Sequence, residues 1–256
     1  MKEQAITEEV TVESSAAIEI KNLHKTFGKD NHVLKGINLS LNKGEDLVIL
    51  GKSGTGKSIT IKCIVGLIQA DKGEIKILGQ DITNLDTDDL NKIRIKVGFL
   101  FQNAALYDSM TVRENLDFTL RRHFKTLSES EIDREIREVL DSVGLEEAID
   151  KMPSELSGGM RKRIGLARTL ILKPEIILYD EPTTGLDTIT SKEISELILR
   201  IQKERKTSSI IITHDMACAK MTADRIMIIR DGIIYAEGTY SELENSSDEW
   251  ISSFFI

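Results

Sequence analysis

Two kinds of apolar pattern run along the chain. "AIEIKNL" (17–23), "HVLKGINLSL" (32–41) and "GEIKIL" (73–78) alternate apolar with polar residues, and the turn-rich "FGKDNH" joins the first two. Alternation with period two predicts strands buried on one face, here antiparallel. "DLVILG", "VGFLF", "EIILYD" and "SIIITH" are instead nearly continuous in Val, Ile and Leu. Such runs predict strands covered on both faces, as in a parallel sheet. After the first of them, Ile61, Ile64, Val65 and Ile68 recur along one helical face, giving a βα unit.

Between residues 104 and 168 the pattern is helical throughout. Ser128 and Glu131 form a capping box ahead of Ile132, Ile136, Val139, Leu140 and Val143. Near the end, "RIMIIRDGIIYAEG" sets Asp231-Gly232 between two apolar runs, a hairpin signal. The predicted fold is α/β: a mostly parallel core, an N-terminal antiparallel β-subdomain and an inserted α-helical subdomain. Its expected divisions are a disordered tail over 1–16, a discontinuous core over 17–103 and 169–240, a helical subdomain over 104–168, and a C-terminal helical extension over 241–256.

Composition narrows the function classes. With 256 residues, 30% charged and 40% hydrophobic, the chain is expected to fold around a substantial core. A formal net charge of -8 offers no general attraction to a phosphate backbone, so no nucleic-acid partner is expected. Cys63 and Cys218 stand far apart without a CxxC, which argues against a disulfide scaffold, a zinc site or a redox pair. The first residues lack a secretory h-region, and no apolar run has the roughly 18 residues of a membrane span. A membrane role would therefore come through a partner.

"GKSGTGKS", Gly51 to Ser58, fits G-x-x-x-x-G-K-[ST] and lies between a predicted strand and a predicted helix, the context that motif requires. Gly51, Gly54 and Gly56 let the backbone of Lys52, Ser53 and Thr55 turn its amides inward, and the helix start adds partial positive charge. Lys57 is expected to reach the β and γ phosphates and Ser58 to hold Mg²⁺. "EIILYDEP" supplies the carboxylate such a site needs: Asp180 for the metal, with Glu181, pointing differently along an extended chain, as general base. Gln102 and His214 follow two other predicted strands and so share the edge where ligands of open α/β sheets collect. Phe27 has two readings, stacking on adenine or packing in the core.

A second glycine-rich helix start, "LSGGM", places Ser157, Gly158 and Gly159 before Arg161, Lys162 and Arg163. Three cations in a first turn oppose the helix dipole by up to about 1 kcal/mol each, so either the face is solvated or an anion compensates. In order, "GKSGTGKS", "FQN", "LSGGM", "LYDEPTTGLD" and "ITHD" resemble the motifs of ABC-type ATPases, and the likeness covers nearly the whole chain. The resemblance implies a P-loop NTPase (RecA-like) core. It also implies Gln102 as Q-loop and metal contact, Ser157 to Gly159 as signature, Asp187 as D-loop and His214 as H-loop.

In that family the signature of one subunit closes over ATP on the Walker A loop of another. The resemblance thus implies a homodimer with MgATP between its subunits. "LFQNAALYDSMTVRENLDFTLR" and "DEWISSFF" are further similar to the ATPases of Mla and MCE lipid transporters, although Thr188 and Lys52 depart from that pattern. This implies integral membrane permease partners and a lipid-binding MCE-type protein, a peripheral position on the cytoplasmic face of the inner membrane, and a coupling surface over Ala104 to Asn115. Trp250, Phe254 and Phe255 either pack on their own domain or dock a second subunit. The alternatives are an ABC ATPase of another importer or exporter, a soluble ABC protein of DNA maintenance or translation, and a non-hydrolytic regulator of cell division.

Overall fold

The computed structural model describes residues 16–255. The predicted tail over 1–16 lies outside them except for Ala16, which opens a strand. In chain order the elements are β1 (Ala16–Phe27), β2 (Asn31–Asn42), β3 (Asp46–Leu50), α1 (Lys57–Ile64), β4 (Lys72–Ile77), β5 (Gln80–Asp81), α2 (Thr87–Lys96) and β6 (Val97–Leu100). The helical region follows with α3 (Val112–His123), α4 (Glu129–Ser142), two short 3-10 turns and α5 (Gly158–Leu170). Then come β7 (Ile176–Asp180), α6 (Thr188–Arg205), β8 (Ser208–Ile212), α7 (Met216–Thr222), β9 (Arg225–Arg230), β10 (Ile233–Gly238), α8 (Tyr240–Glu244) and α9 (Glu249–Ser252).

Two sheets result, one antiparallel in the order β2-β1-β4-β5 and one in the order β10-β9-β3-β8-β7-β6. Within the second, β6, β7, β8, β3 and β9 run parallel, and only β10 is antiparallel to its neighbour. The hairpin turn falls where expected, with Asp231 and Gly232 both at positive φ (51° and 84°), the geometry that lets a two-residue turn match strand twist.

The parallel strands are covered on both sides. Val48, Leu50, Ile177, Tyr179, Ile211, Ile226 and Ile228 join one core cluster with α3, α4 and α5. Their alternating neighbours Leu47, Ile49, Ile176, Leu178, Ile210, Ile212, Met227 and Ile229 join the cluster beneath the antiparallel sheet. The predicted capping box of Ser128 with Glu131 on α4 is formed, and Thr111 with Glu114 on α3 and Thr239 with Glu242 on α8 form others. The helical region shares its core with one face of the parallel sheet, and α5 runs two residues past the expected boundary at 168.

Asp46 opens β3 at 1% exposure, and its Oδ1 has no hydrogen-bond partner. Burial, with the nearby charges of Asp224 and Glu45, pushes its carboxyl up to about 7. Because the folded chain holds a proton that the unfolded chain has released by about pH 4, stability falls as pH rises from about 4 to about 7. Asp46→Asn removes that loss. It should raise the melting temperature at pH 8, by a free energy of at most about 4 kcal/mol, and leave it nearly unchanged at pH 4; equal shifts in melts at the two pH values would refute the assignment.

Candidate functional site: a nucleotide cleft at the carboxyl edge of the parallel sheet

Four parallel strands deliver the chemistry to one edge. β3 runs into the glycine loop and α1, β6 ends two residues before Gln102, β7 ends at Asp180, and β8 ends two residues before His214. The loop is shaped by close approach: a Cβ on Gly51 (φ 155°) would lie 2.6 Å from the Ile229 carbonyl oxygen. Thr55 Oγ1 donates to the Lys52 carbonyl at 2.9 Å and so braces the turn from outside the cleft. Lys57, 8% exposed, donates its Nζ to the carbonyls of Gly51 (2.7 Å) and Lys52 (3.0 Å). Burial pulls its pKa down, against the opposing pull of Glu181 and Asp180.

The cleft is lined by Phe27, Gly51, Lys52, Ser53, Gly54, Gly56, Lys57, Ser58, Gln102, Glu181 and His214. Phe27 is 39% exposed at the end of β1, so of its two readings the core-packing one falls. Ser58 Oγ donates to Asp180 Oδ1 at 2.8 Å, joining the two oxygens expected to hold a metal. His214 Nδ1 donates to Glu181 Oε2 at 2.8 Å, and Thr184 Oγ1 donates to the same oxygen at 3.1 Å.

Glu181 departs from the expectation in one respect. Its divergence from Asp180 does not come from extended-strand alternation, since Glu181 lies beyond β7 with φ 53°, in the left-handed region. Its N–H donates to the Ile212 carbonyl at 2.9 Å, which anchors that turn to β8.

The second glycine corner is built but lies elsewhere. Ser157 caps α5 by accepting from the Met160 N–H at 3.2 Å. Ser157, Gly158 and Gly159 do not line the nucleotide cleft; Gly158 lines a neighbouring one with Arg161, Thr184 and Leu186. Asp187 caps α6 through the Ile189 and Thr190 amides, and the Thr190 hydroxyl beside it holds its carboxyl below the usual range.

The three cations of α5 divide between the two readings, a solvated face and a compensated charge. Lys162 donates to the Gln102 carbonyl at 2.6 Å and to the Glu181 carbonyl at 3.0 Å. Arg163 pairs with Glu193 at 2.7 Å, and Arg161 Nε reaches the Leu156 carbonyl at 3.4 Å. Lys162 and Arg163 therefore need no partner phosphate, whereas Arg161 is exposed.

Val33, Ile59 and Phe254 also line the cleft and were not singled out as site residues. The predicted C-terminal helical extension is two short helices, α8 and α9, followed by a turn, and the Trp250 and Phe254 rings meet edge to face at 4.9 Å. Tyr235 and Arg230 hold Trp250 from the hairpin, so this cluster packs on its own domain.

The sequence profile of ABC transporters matches residues 34–184. This chain belongs to the ABC transporter family. Protein TRIGALACTOSYLDIACYLGLYCEROL 3 of the chloroplast, from Arabidopsis thaliana, is 37% identical over 94% of this chain and 74% of its own length. The intermembrane phospholipid transport ATP-binding protein MlaF of Haemophilus influenzae is 39% identical over 93% of this chain and 89% of its own length. Relatives named for sulfate/thiosulfate and methionine import match at 40% and 37% identity, over 68% and 70% of their own lengths. Among solved structures, the dimeric ATP-binding cassette MJ0796, bound to ADP and Pi in a post-hydrolysis state, superposes with a TM-score of 0.80 at 33% identity, over 87% of this chain and 98% of that one.

The cassette is thus an ATPase using ATP with Mg²⁺. Its donor set fits that metal: a hydroxyl and a carboxylate, hard oxygens already in contact, leave the remaining positions to phosphate oxygens and water, as Mg²⁺ favours. Among the described residues no group of three or more His, Cys, Asp or Glu is placed to hold a metal ion. Cys63 and Cys218 are both buried, and burial pushes each thiol up to about 11. Among the described residues no helix is long and apolar enough to cross a membrane.

Proposed function

We propose that two copies of this cassette clamp two MgATP molecules and power a phospholipid transporter of the MCE-associated kind. In each site Ser58 and Asp180 hold the metal, which neutralises charge on the phosphates, and Lys57 and the amides of Gly51 to Ser58 bind the triphosphate. Glu181, aimed by His214 and Thr184, accepts the proton of the attacking water, while Gln102 lies across the cleft as a further γ-phosphate or metal contact. Phe27 covers the adenine. Ser157, Gly158 and Gly159, with Asp187, complete the site of the other copy.

The helical region over 104–168 is the signature subdomain, and the segment after Gln102 is its coupling surface. There Tyr107 (45% exposed) and Phe118 (39% exposed) meet edge to face at 5.4 Å beside Arg168, an aromatic patch suited to an apolar segment of a permease subunit. In this reading the cassette sits peripherally on the cytoplasmic face of the inner membrane.

The observation that supports the lipid assignment is likeness: the intermembrane phospholipid transport relative is 39% identical over 93% of this chain. Affinity purification of the tagged cassette from detergent-solubilised membranes tests it. Integral membrane subunits, an MCE-type protein and bound phospholipid are expected to co-purify; permeases accompanied by a soluble anion- or amino-acid-binding protein would overturn the lipid reading and leave the ATPase untouched.

A further inference from the structure

Lys162 is 6% exposed, and a buried ammonium persists only where strong acceptors replace water. Two of its three N–H donors are taken by main-chain carbonyls from different strands' ends: Gln102 after β6 and Glu181 after β7. Both residues line the nucleotide cleft. One cation therefore ties together the backbone corners that aim the two groups.

The hold matters most at Glu181, whose left-handed backbone (φ 53°) is unfavourable for a residue with a side chain. Its N–H is fixed by Ile212 and its carboxylate by His214 and Thr184, and its carbonyl is fixed by Lys162. Lys162 itself lies on α5, five residues beyond Ser157. A helix is stiff over that distance, so a displacement of the signature corner is passed to Gln102 and Glu181 through Nζ.

We infer that Lys162 is a positioning residue that holds Glu181 and Gln102 in register and makes their geometry depend on the seating of the signature helix. Burial alone does not call for it, because a leucine or methionine would fill the same space without reaching two carbonyls. The inference deepens the proposed mechanism and rests on Glu181 acting as base.

The test uses the full chain with Lys162→Met, which keeps the length and removes the donors, and Lys162→Arg, which restores them. Lys162→Met should lower kcat at least tenfold while affinity for a fluorescent ATP analogue stays within about twofold, and the Hill coefficient for ATP should fall toward one. Lys162→Arg should recover at least half of the native rate. A Lys162→Met kcat within twofold of native overturns the inference. So does a parallel loss of kcat, analogue affinity and melting temperature that arginine does not repair, including failure to fold. Glu181→Gln is run alongside: if it hydrolyses ATP, the base assignment fails; if it is inert while Lys162→Met is normal, only the role of Lys162 fails.

Discussion

Glu181→Gln is expected to abolish turnover while leaving the cassette able to bind MgATP. The substitution keeps the side chain's shape and its hydrogen-bonding position opposite His214 and Thr184, but an amide oxygen cannot take up a proton at neutral pH. Losing a positioned general base costs about 10²- to 10⁴-fold. The binding groups bond elsewhere: Lys57 donates to the carbonyls of Gly51 and Lys52, and Ser58 donates to Asp180. Phosphate release should therefore fall at least 100-fold while analogue affinity changes little, and an ATP-dependent dimer should accumulate because the step that dissolves it is blocked. Phosphate release within tenfold of native would remove Glu181 from the mechanism.

Much of this site could be read from spacing because each part makes a demand that few residue types meet. A strand running into G-x-x-x-x-G-K-[ST] and a helix leaves little choice of fold, and the carboxylate ending a continuous apolar run has to fall on the same sheet edge. Ser58 and Asp180, 122 positions apart, meet at 2.8 Å for that reason. The continuous runs predicted strands covered on both faces, and the two core clusters divide alternate residues of β3, β7, β8 and β9 between them.

What stayed hidden depends on where backbone turns and on who supplies counter-charge. The left-handed Glu181 leaves no mark in a sequence, because nothing in "YDEP" demands positive φ. Lys162 looked like one of three cations opposing a helix dipole; only the fold shows its Nζ reaching two carbonyls that lie 60 and 19 positions away. Phe254 lines the nucleotide cleft through an aromatic stack on the hairpin, a long-range placement without periodicity. The helix α6 does carry a sequence signal: Ile194, Leu197, Ile198 and Ile201 repeat along one face and are buried.

The placement of the two glycine corners leads to the second large effect. Ser157 is exposed, and neither it nor Gly159 lines the cleft that holds Lys57, so a single chain presents a phosphate loop and a signature that do not meet. If the signature serves a second copy, Ser157→Arg should leave ATP binding by its own chain intact and stop hydrolysis on the other chain, a loss of about 100-fold or more by steric and charge disruption of a transition-state contact. Lys57→Ala should do the converse and cripple its own loop. Each variant alone is then inactive, but the two mixed are not: a mixed dimer carries one site spoiled twice and one site spoiled nowhere. In a twofold dimer assembled at random from equal amounts, half the dimers are mixed and half their sites are whole, so activity should return to about a quarter of native. Recovery would show that catalysis is assembled across two chains. If the mixture stays as inactive as its components while dimers form normally, each chain must work alone or both sites must fire together, and a mixed dimer linked covalently with one fully native site distinguishes those two by its residual rate.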